Sequence, residues 1–226
     1  MPPKAILFDI DGTLVDSNEQ HVNAWAFAFR DEGFPQERDA IRAQIGKGGD
    51  LLVPALLPDM DKAVRERIAT RHGAYFKDLY LDTVRAFDRA ADLIERATRH
   101  GSKVVLASSA KQEELDHYVG LLGVSGLLAA TTSIDDVEAS KPEPDIFGTA
   151  LATIGVAPDA AIVVGDTIYD VEAALRAGIV AIGLTSGPFD ETQLKHAGAI
   201  AVFADAAALH DAFDRSPLAA GPAARG

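Results

Sequence analysis

Short, almost uninterrupted apolar runs alternate with helical patterns along most of this chain, and no other feature constrains its fold as much. The runs are Ala5 to Phe8, Lys103 to Ala107, Leu127 to Thr131, Ala161 to Val164, Ile179 to Leu184 and Ile200 to Phe203. Each has the length of a strand and no polar face, the pattern of strands covered on both sides in a parallel sheet. Between them the sequence predicts helices over Asp88 to His100, Asp145 to Ile154 and Asp170 to Ala177, which stop at Gly101, Gly155 and Gly178. The expected class is therefore α/β, a parallel sheet with helices on its faces.

One stretch breaks the alternation. From Asp16 to about Asp82 the periodicity is helical and no strand candidate occurs. The expected division is an α/β core of residues 1–15 and 83–214, an inserted all-helical cap of residues 16–82, and a disordered tail of residues 215–226, where Ala, Gly and Pro abound without an apolar period. Ser17 and Gln20 stand in capping-box spacing at the first cap helix, and Val22, Trp25, Ala26 and Phe29 recur on one face of it. Val64, Ile68, Tyr75, Phe76 and Leu79 mark the apolar face of the last.

Bulk properties remove several classes of function. A chain of 226 residues with 48% apolar content can bury a full core. A formal charge of −13 opposes nucleic acid or an anionic membrane as partner. With no cysteine, disulfides, thiolate zinc sites and cysteine nucleophiles are excluded. Met1 to Lys4 leads at once into Ala5 to Phe8, too short for a signal sequence, and no run approaches the ~20 apolar residues that cross a bilayer. A cytoplasmic protein is expected. Oligomeric state leaves no mark.

In an open parallel sheet, ligands bind beyond the carboxyl ends of the strands, so the polar residues that follow each run carry the chemistry. After the first run come Asp9, Asp11, Gly12 and Thr13; after the second, Ser108 and Ser109. Beyond the third lies Ser140-Lys141-Pro142, and after the fourth Gly165-Asp166, with Asp170 four residues on. Brought to one rim, these groups suit a hard cation shared with a phosphoryl group. Without a cation the four aspartates would repel one another and some would stay protonated. Each also has a plainer reading: Asp9 and Asp11 as turn residues, Ser108 and Ser109 as helix caps, Lys141 as a solvated lysine, Asp170 as an acid at a helix start.

These motifs, in this order, resemble the haloacid dehalogenase-like hydrolases of the branch with a helical cap, over roughly Lys4 to Phe213. The resemblance implies a Rossmann-like core and a magnesium-dependent phosphatase of small phosphorylated metabolites, of sugar-phosphate or phosphoglycolate type. It makes Asp9 the nucleophile, Asp11 the general acid and base, Ser108 and Lys141 the holders of the phosphoryl oxygens, and Ser109 the source of a backbone N–H. Asp9, the Asp11 carbonyl and Asp166 become the Mg2+ ligands, with Asp170 holding the ion through a water or through another ligand. Gly46-Lys47-Gly48-Gly49-Asp50 lacks the spacing of a nucleotide phosphate loop. Two readings stand for Lys47: a reader of the substrate's distal group, or part of a mobile surface turn. His21, four residues before Trp25 as in sugar-phosphate members, stands between substrate binding and an ordinary helix position. The competing activity is a β-phosphoglucomutase-like mutase, which Thr13 disfavours because related mutases carry an apolar residue there. Asp11 opposes haloacid dehalogenation, and phosphonate hydrolysis would need Lys47 as a Schiff-base lysine.

Overall fold

The computed structural model describes residues 2–221. All six expected runs form one parallel sheet, in the order β5-β4-β1-β6-β7-β8. Its strands are β1 (Ala5–Phe8), β4 (Lys103–Ala107), β5 (Leu128–Thr132), β6 (Ala161–Gly165), β7 (Val180–Leu184) and β8 (Ala201–Phe203). β1 pairs with β4 from Ala5↔Lys103 to Phe8↔Leu106, and with β6 from Ala5↔Ala161 to Phe8↔Val164. The three central strands thus end level, and the Asp9 N–H continues the ladder to the Val164 carbonyl at 2.9 Å.

Because side chains alternate across a strand, each central strand feeds two cores. Ile6, Phe8, Val104, Leu106, Ile162 and Val164 pack on one face against α5 (Ala90–Arg99), α6 (Gln112–Leu122) and α10 (Ala206–Asp211). Ala5, Leu7, Val105 and Val163 face α7 (Asp145–Ile154), α8 (Ile168–Arg176) and α9 (Glu191–Ala197). The helix expected from Asp88 begins at Ala90, after Arg89 takes a left-handed φ of 62°.

The stretch expected as a helical cap contains α1 (Asn18–Asp31), α2 (Arg38–Arg42), α3 (Gly49–Leu56) and α4 (Lys62–Leu79). It has a core of its own, built from Val22, Trp25, Phe29, Ile41, Leu52 and Ile68. Leu79, expected on the buried face of α4, is half exposed, because the helix ends there. A two-strand antiparallel ribbon joins cap to core: β2 (Val15–Asp16) pairs with β3 (Arg85–Ala86). Two residues per strand carry no detectable period, so the sequence shows no sign of it.

The tail departs from expectation. Ser216 caps a short helix, α11 (Pro217–Ala220), by accepting the Leu218 N–H, and Leu218 is fully buried. A single apolar side chain that joins the α5 and α10 core outweighs a composition without periodicity. Residues 222–226 of the expected tail lie outside the described residues.

Candidate active site

The level ends of β1, β4 and β6 bring three of the motifs to one rim, and the segment after β5 brings the fourth, Lys141. Lys141 is buried, and its ammonium touches an Asp9 carboxylate oxygen, lies 2.8 Å from Asp170 Oδ1 and donates to the Ala107 carbonyl at 3.0 Å. Each contact comes from a different strand end or helix start. Asp166, fully buried, accepts from Thr13 Oγ1 at 3.1 Å and Asn18 Nδ2 at 3.0 Å. Asp170 does two jobs. Its Oδ2 accepts the Thr167 N–H at 3.1 Å and the Thr167 hydroxyl at 2.6 Å, closing a capping box for α8, while Oδ1 faces Lys141.

Asp9, Asp166 and Asp170 each offer a carboxylate oxygen within 4.8 Å of the others. Three buried carboxylates around one ammonium leave net negative charge, and their titration reflects it. Burial pushes Asp9 up to about 7; Lys141 opposes that shift, and Asp170 and Asp11 add to it. Burial, with Asp9 and Asp170, holds Asp166 well above the usual carboxylate range. Burial tends to lower Lys141, but Asp170 and Asp9 outweigh it and raise the ammonium's pKa. An all-oxygen donor set with unbalanced charge fits a hard divalent cation. Glycine keeps the space around it open, because a Cβ on Gly12 or Gly187 would overlap the Asp166 carboxylate.

Asp11 belongs to a second constellation that reaches into the cap. Ser17 Oγ donates to Asp11 Oδ1 at 2.5 Å, and His21 Nε2 lies 3.1 Å from the same oxygen. The expected side-chain cap at Ser17 is not formed: its hydroxyl is turned toward the Asp11 carboxylate, to which it donates, and no helix amide reaches it. His21 also lies 3.6 Å from Glu114 on α6, and its Nδ1 is 3.2 Å from His72 Nε2 on α4. The rings stack in pairs, His21 on Phe76 and His72 on Trp25, with centroids 3.8 Å apart in each pair. Burial raises Asp11, yet His21, Ser17 and Tyr118 together bring its carboxyl below the ordinary range. Burial lowers His21, and Asp11 and Glu114 more than reverse this. Burial and His21 leave His72 well below the usual imidazole pKa.

Ser108 is fully buried; its Oγ accepts the Ala110 N–H at 3.0 Å and lies 3.5 Å from Asp11 Oδ2. It does not cap α6. Asp135 does so from a neighbouring loop, accepting the Gln112 N–H at 3.0 Å. Ser109 Oγ points to the Gly46 carbonyl of the cap, 3.4 Å away. A cavity of about 440 Å³ lies between cap and core, lined by Asp9, Asp11, His21, Trp25, Lys47 and Ser109 among others. Lys47 donates to Gln44 at 2.6 Å and sits 4.4 Å above the Tyr169 ring. The expected site residues therefore converge, Lys47 and His21 included. A second, more open groove beside α7 and Arg176 holds none of the motif residues.

Glu114, His72, Asn18 and Tyr118 are absent from the sequence reading. For His72 a signal exists: it falls between Ile68 and Phe76 at four-residue steps, on the apolar face of α4. Glu114 has none, since its partner lies on another unit. No helix among the described residues is long and apolar enough to cross a membrane.

The family model described as "Haloacid dehalogenase-like hydrolase" matches residues 6–184. Validoxylamine A 7'-phosphate phosphatase of Streptomyces hygroscopicus subsp. limoneus is 28% identical over 183 residues, covering 81% of this chain and 86% of that one. A phosphoglycolate phosphatase of Rhodospirillum rubrum is 26% identical over 218 residues, 92% of this chain and 90% of its own. The crystal structure of a hydrolase from Pseudomonas syringae superposes with a TM-score of 0.88 at 31% identity, covering 94% of this chain and 98% of that one.

Proposed function

Because the chain belongs to the haloacid dehalogenase-like hydrolases, we propose that it is a magnesium-dependent phosphatase of a small phosphorylated metabolite, acting through an aspartyl-phosphate on Asp9. One observation carries this: a buried Asp9 held by Lys141 beside Asp166 and Asp170, at the floor of a cavity that also exposes Asp11.

An Asp9 carboxylate oxygen attacks phosphorus, and the bond from phosphorus to the leaving alkoxide breaks. The alkoxide takes its proton at Asp11, whose low-lying carboxyl draws it from His21 Nε2, 3.1 Å away; the same pair then takes a proton from the water that cleaves the aspartyl-phosphate and releases inorganic phosphate. Ser17 and His21 fix the Asp11 carboxyl for both transfers. Lys141, anchored by Asp170 and the Ala107 carbonyl, places its ammonium where negative charge gathers on the phosphoryl oxygens. A magnesium ion held by Asp9, Asp166, Asp170 and the Asp11 carbonyl would supply further positive charge against the same oxygens. The closed cap excludes bulk water during transfer.

A cavity of about 440 Å³ leaves room for a small sugar phosphate or phosphorylated acid, in keeping with relatives named for validoxylamine A 7'-phosphate and phosphoglycolate. Lacking cysteine, the chain has no thiol chemistry tied to an oxidising compartment, and we place its work in the cytoplasm.

The test is phosphate release from a panel of phosphorylated acids, sugars and nucleotides with and without magnesium, run beside Asp9→Asn. Magnesium-dependent release that Asp9→Asn abolishes is the expected result. Near-normal turnover by the variant would exclude the mechanism. Conversion of a hexose 1-phosphate to its 6-phosphate with little free phosphate would mark a mutase instead.

A further inference from the structure

Gly46 to Asp50 does more in the closed cap than present Lys47. Together with Ala43, this segment docks on two loops of the core and on the first turn of α8. Tyr169 donates its hydroxyl to the Ala43 carbonyl at 2.6 Å, and Ser109 faces the Gly46 carbonyl. The third contact is a pair of hydrogen bonds. The Gly48 N–H donates to Ser140 Oγ at 2.9 Å, and the Ser140 N–H donates to Asp50 Oδ2 at 3.0 Å. Ser140 is fully buried and directly precedes Lys141. Cap groups thus occupy both its hydroxyl and its backbone nitrogen.

The glycines in this segment answer to close approach. A Cβ on Gly48 would lie 2.8 Å from Ser140 Cβ, and one on Gly46, whose φ is +104°, would lie 2.7 Å from Thr167 Cγ2. Thr167 stands between Asp166 and the α8 helix that carries Asp170. The loop therefore bears on two strand-end segments that hold catalytic groups.

We propose that Asp50 and Gly48 are positioning residues: by clasping Ser140 from its two hydrogen-bonding sides, the closed cap fixes the backbone from which Lys141 reaches Asp9. This rests on the phosphatase reading for its consequence, though not for its geometry. Lysine is a point charge on a flexible stem, so the aim of its ammonium depends on how firmly its Cα is held. The segment that carries Lys47 to the cavity is the one that holds Ser140. Contact between substrate and Lys47 and alignment of Lys141 are then one event. A substrate that keeps the loop seated gains in turnover more than in affinity.

The test uses the full-length chain with magnesium. Asp50→Ala removes the acceptor, whereas Asp50→Asn keeps an oxygen that can accept the Ser140 N–H. Asp50 is exposed, so neither change disturbs a core. For Asp50→Ala, kcat is expected to fall about ten- to a hundredfold while KM moves less than about twofold, and Asp50→Asn should recover most of the loss. Amide exchange over residues 138–143 should quicken by about tenfold in Asp50→Ala and stay slow in Asp50→Asn. Gly48→Ala should reproduce the kcat loss. Unchanged exchange in Asp50→Ala, or a rise in KM with kcat kept, would overturn the proposal. Asp9→Asn is measured alongside: an active Asp9→Asn, or a wild type that releases no phosphate, defeats the phosphatase reading, and the exchange result still decides the clasp.

Discussion

Replacing Lys141 by methionine removes the one ammonium that balances the buried carboxylates while keeping most of the side-chain volume. Met can hold the packing over Phe147, where the Lys141 nitrogen now lies 5.2 Å from the ring centroid. Asp9 and Asp170 both lose their ionic partner, and Asp166 already carries a raised pKa. Removing one partner of a buried ion pair costs about 3–5 kcal/mol. In a chain of this size each kcal/mol shifts Tm by about 2–4 °C, so Lys141→Met should melt about 6–20 °C below wild type in chelator at pH 7.5. Two controls give the effect its sign. Lowering the pH toward 5 protonates Asp9 and should narrow the gap, and Asp166→Asn, which removes a charge instead of its partner, should not destabilise the metal-free protein. Magnesium should recover part of the loss. Phosphate release should fall at least about a hundredfold, since an ammonium at the transferring group is gone. Thermal melts by circular dichroism in chelator and in magnesium, with a phosphate assay, measure all of this. Equal melting of Lys141→Met and wild type in chelator would refute the charge balance on which the site description rests.

Two further outcomes follow from the same geometry. The Asp9 pKa is raised on folding, so its stabilising contribution is full below the ordinary carboxylate value near 3.8 and is lost as pH rises through about 7. Metal-free protein should therefore lose Tm from this group between about pH 4 and pH 7, with the gain on adding magnesium largest at the alkaline end; a gain independent of pH would contradict it. His21→Ala removes the imidazole 3.1 Å from Asp11 and should lower kcat by about tenfold or more at unchanged magnesium requirement, read from turnover against magnesium concentration.

The core and the meeting of the candidate site groups at one rim are legible in the sequence, largely because register does the work. Once Ala5 to Phe8 and Ala161 to Val164 pair in parallel with Phe8 opposite Val164, Asp9 and Asp166 leave neighbouring strands within one residue of each other. Lys141 does not follow from register: it lies beyond β5 across residues 133–140, marked in the sequence only by its Lys-Pro motif, and reaches in to the Ala107 carbonyl at the end of β4. What escaped depends on contacts between units. Glu114 meets His21 only because α6 and α1 dock, and neither helix records the other in its pattern. Ser17 shows a local preference losing: its spacing to Gln20 describes a cap, and the Asp11 carboxylate takes the hydroxyl. Leu218 shows the reverse, a residue in a featureless segment ordered by one buried contact.

The chain enters and leaves the helical unit through β2 and β3, whose residues Val15 and Ala86 are directly paired. An insertion whose two ends sit side by side adds nothing to the span its host must bridge. The six-stranded sheet would keep its register if that whole cassette were exchanged for one of another shape. A replacement cassette grafted at these two neighbouring peptide bonds would have to bring its own equivalents of Ser17, His21 and Asp50, which hold Asp11 and Ser140 from the inserted side.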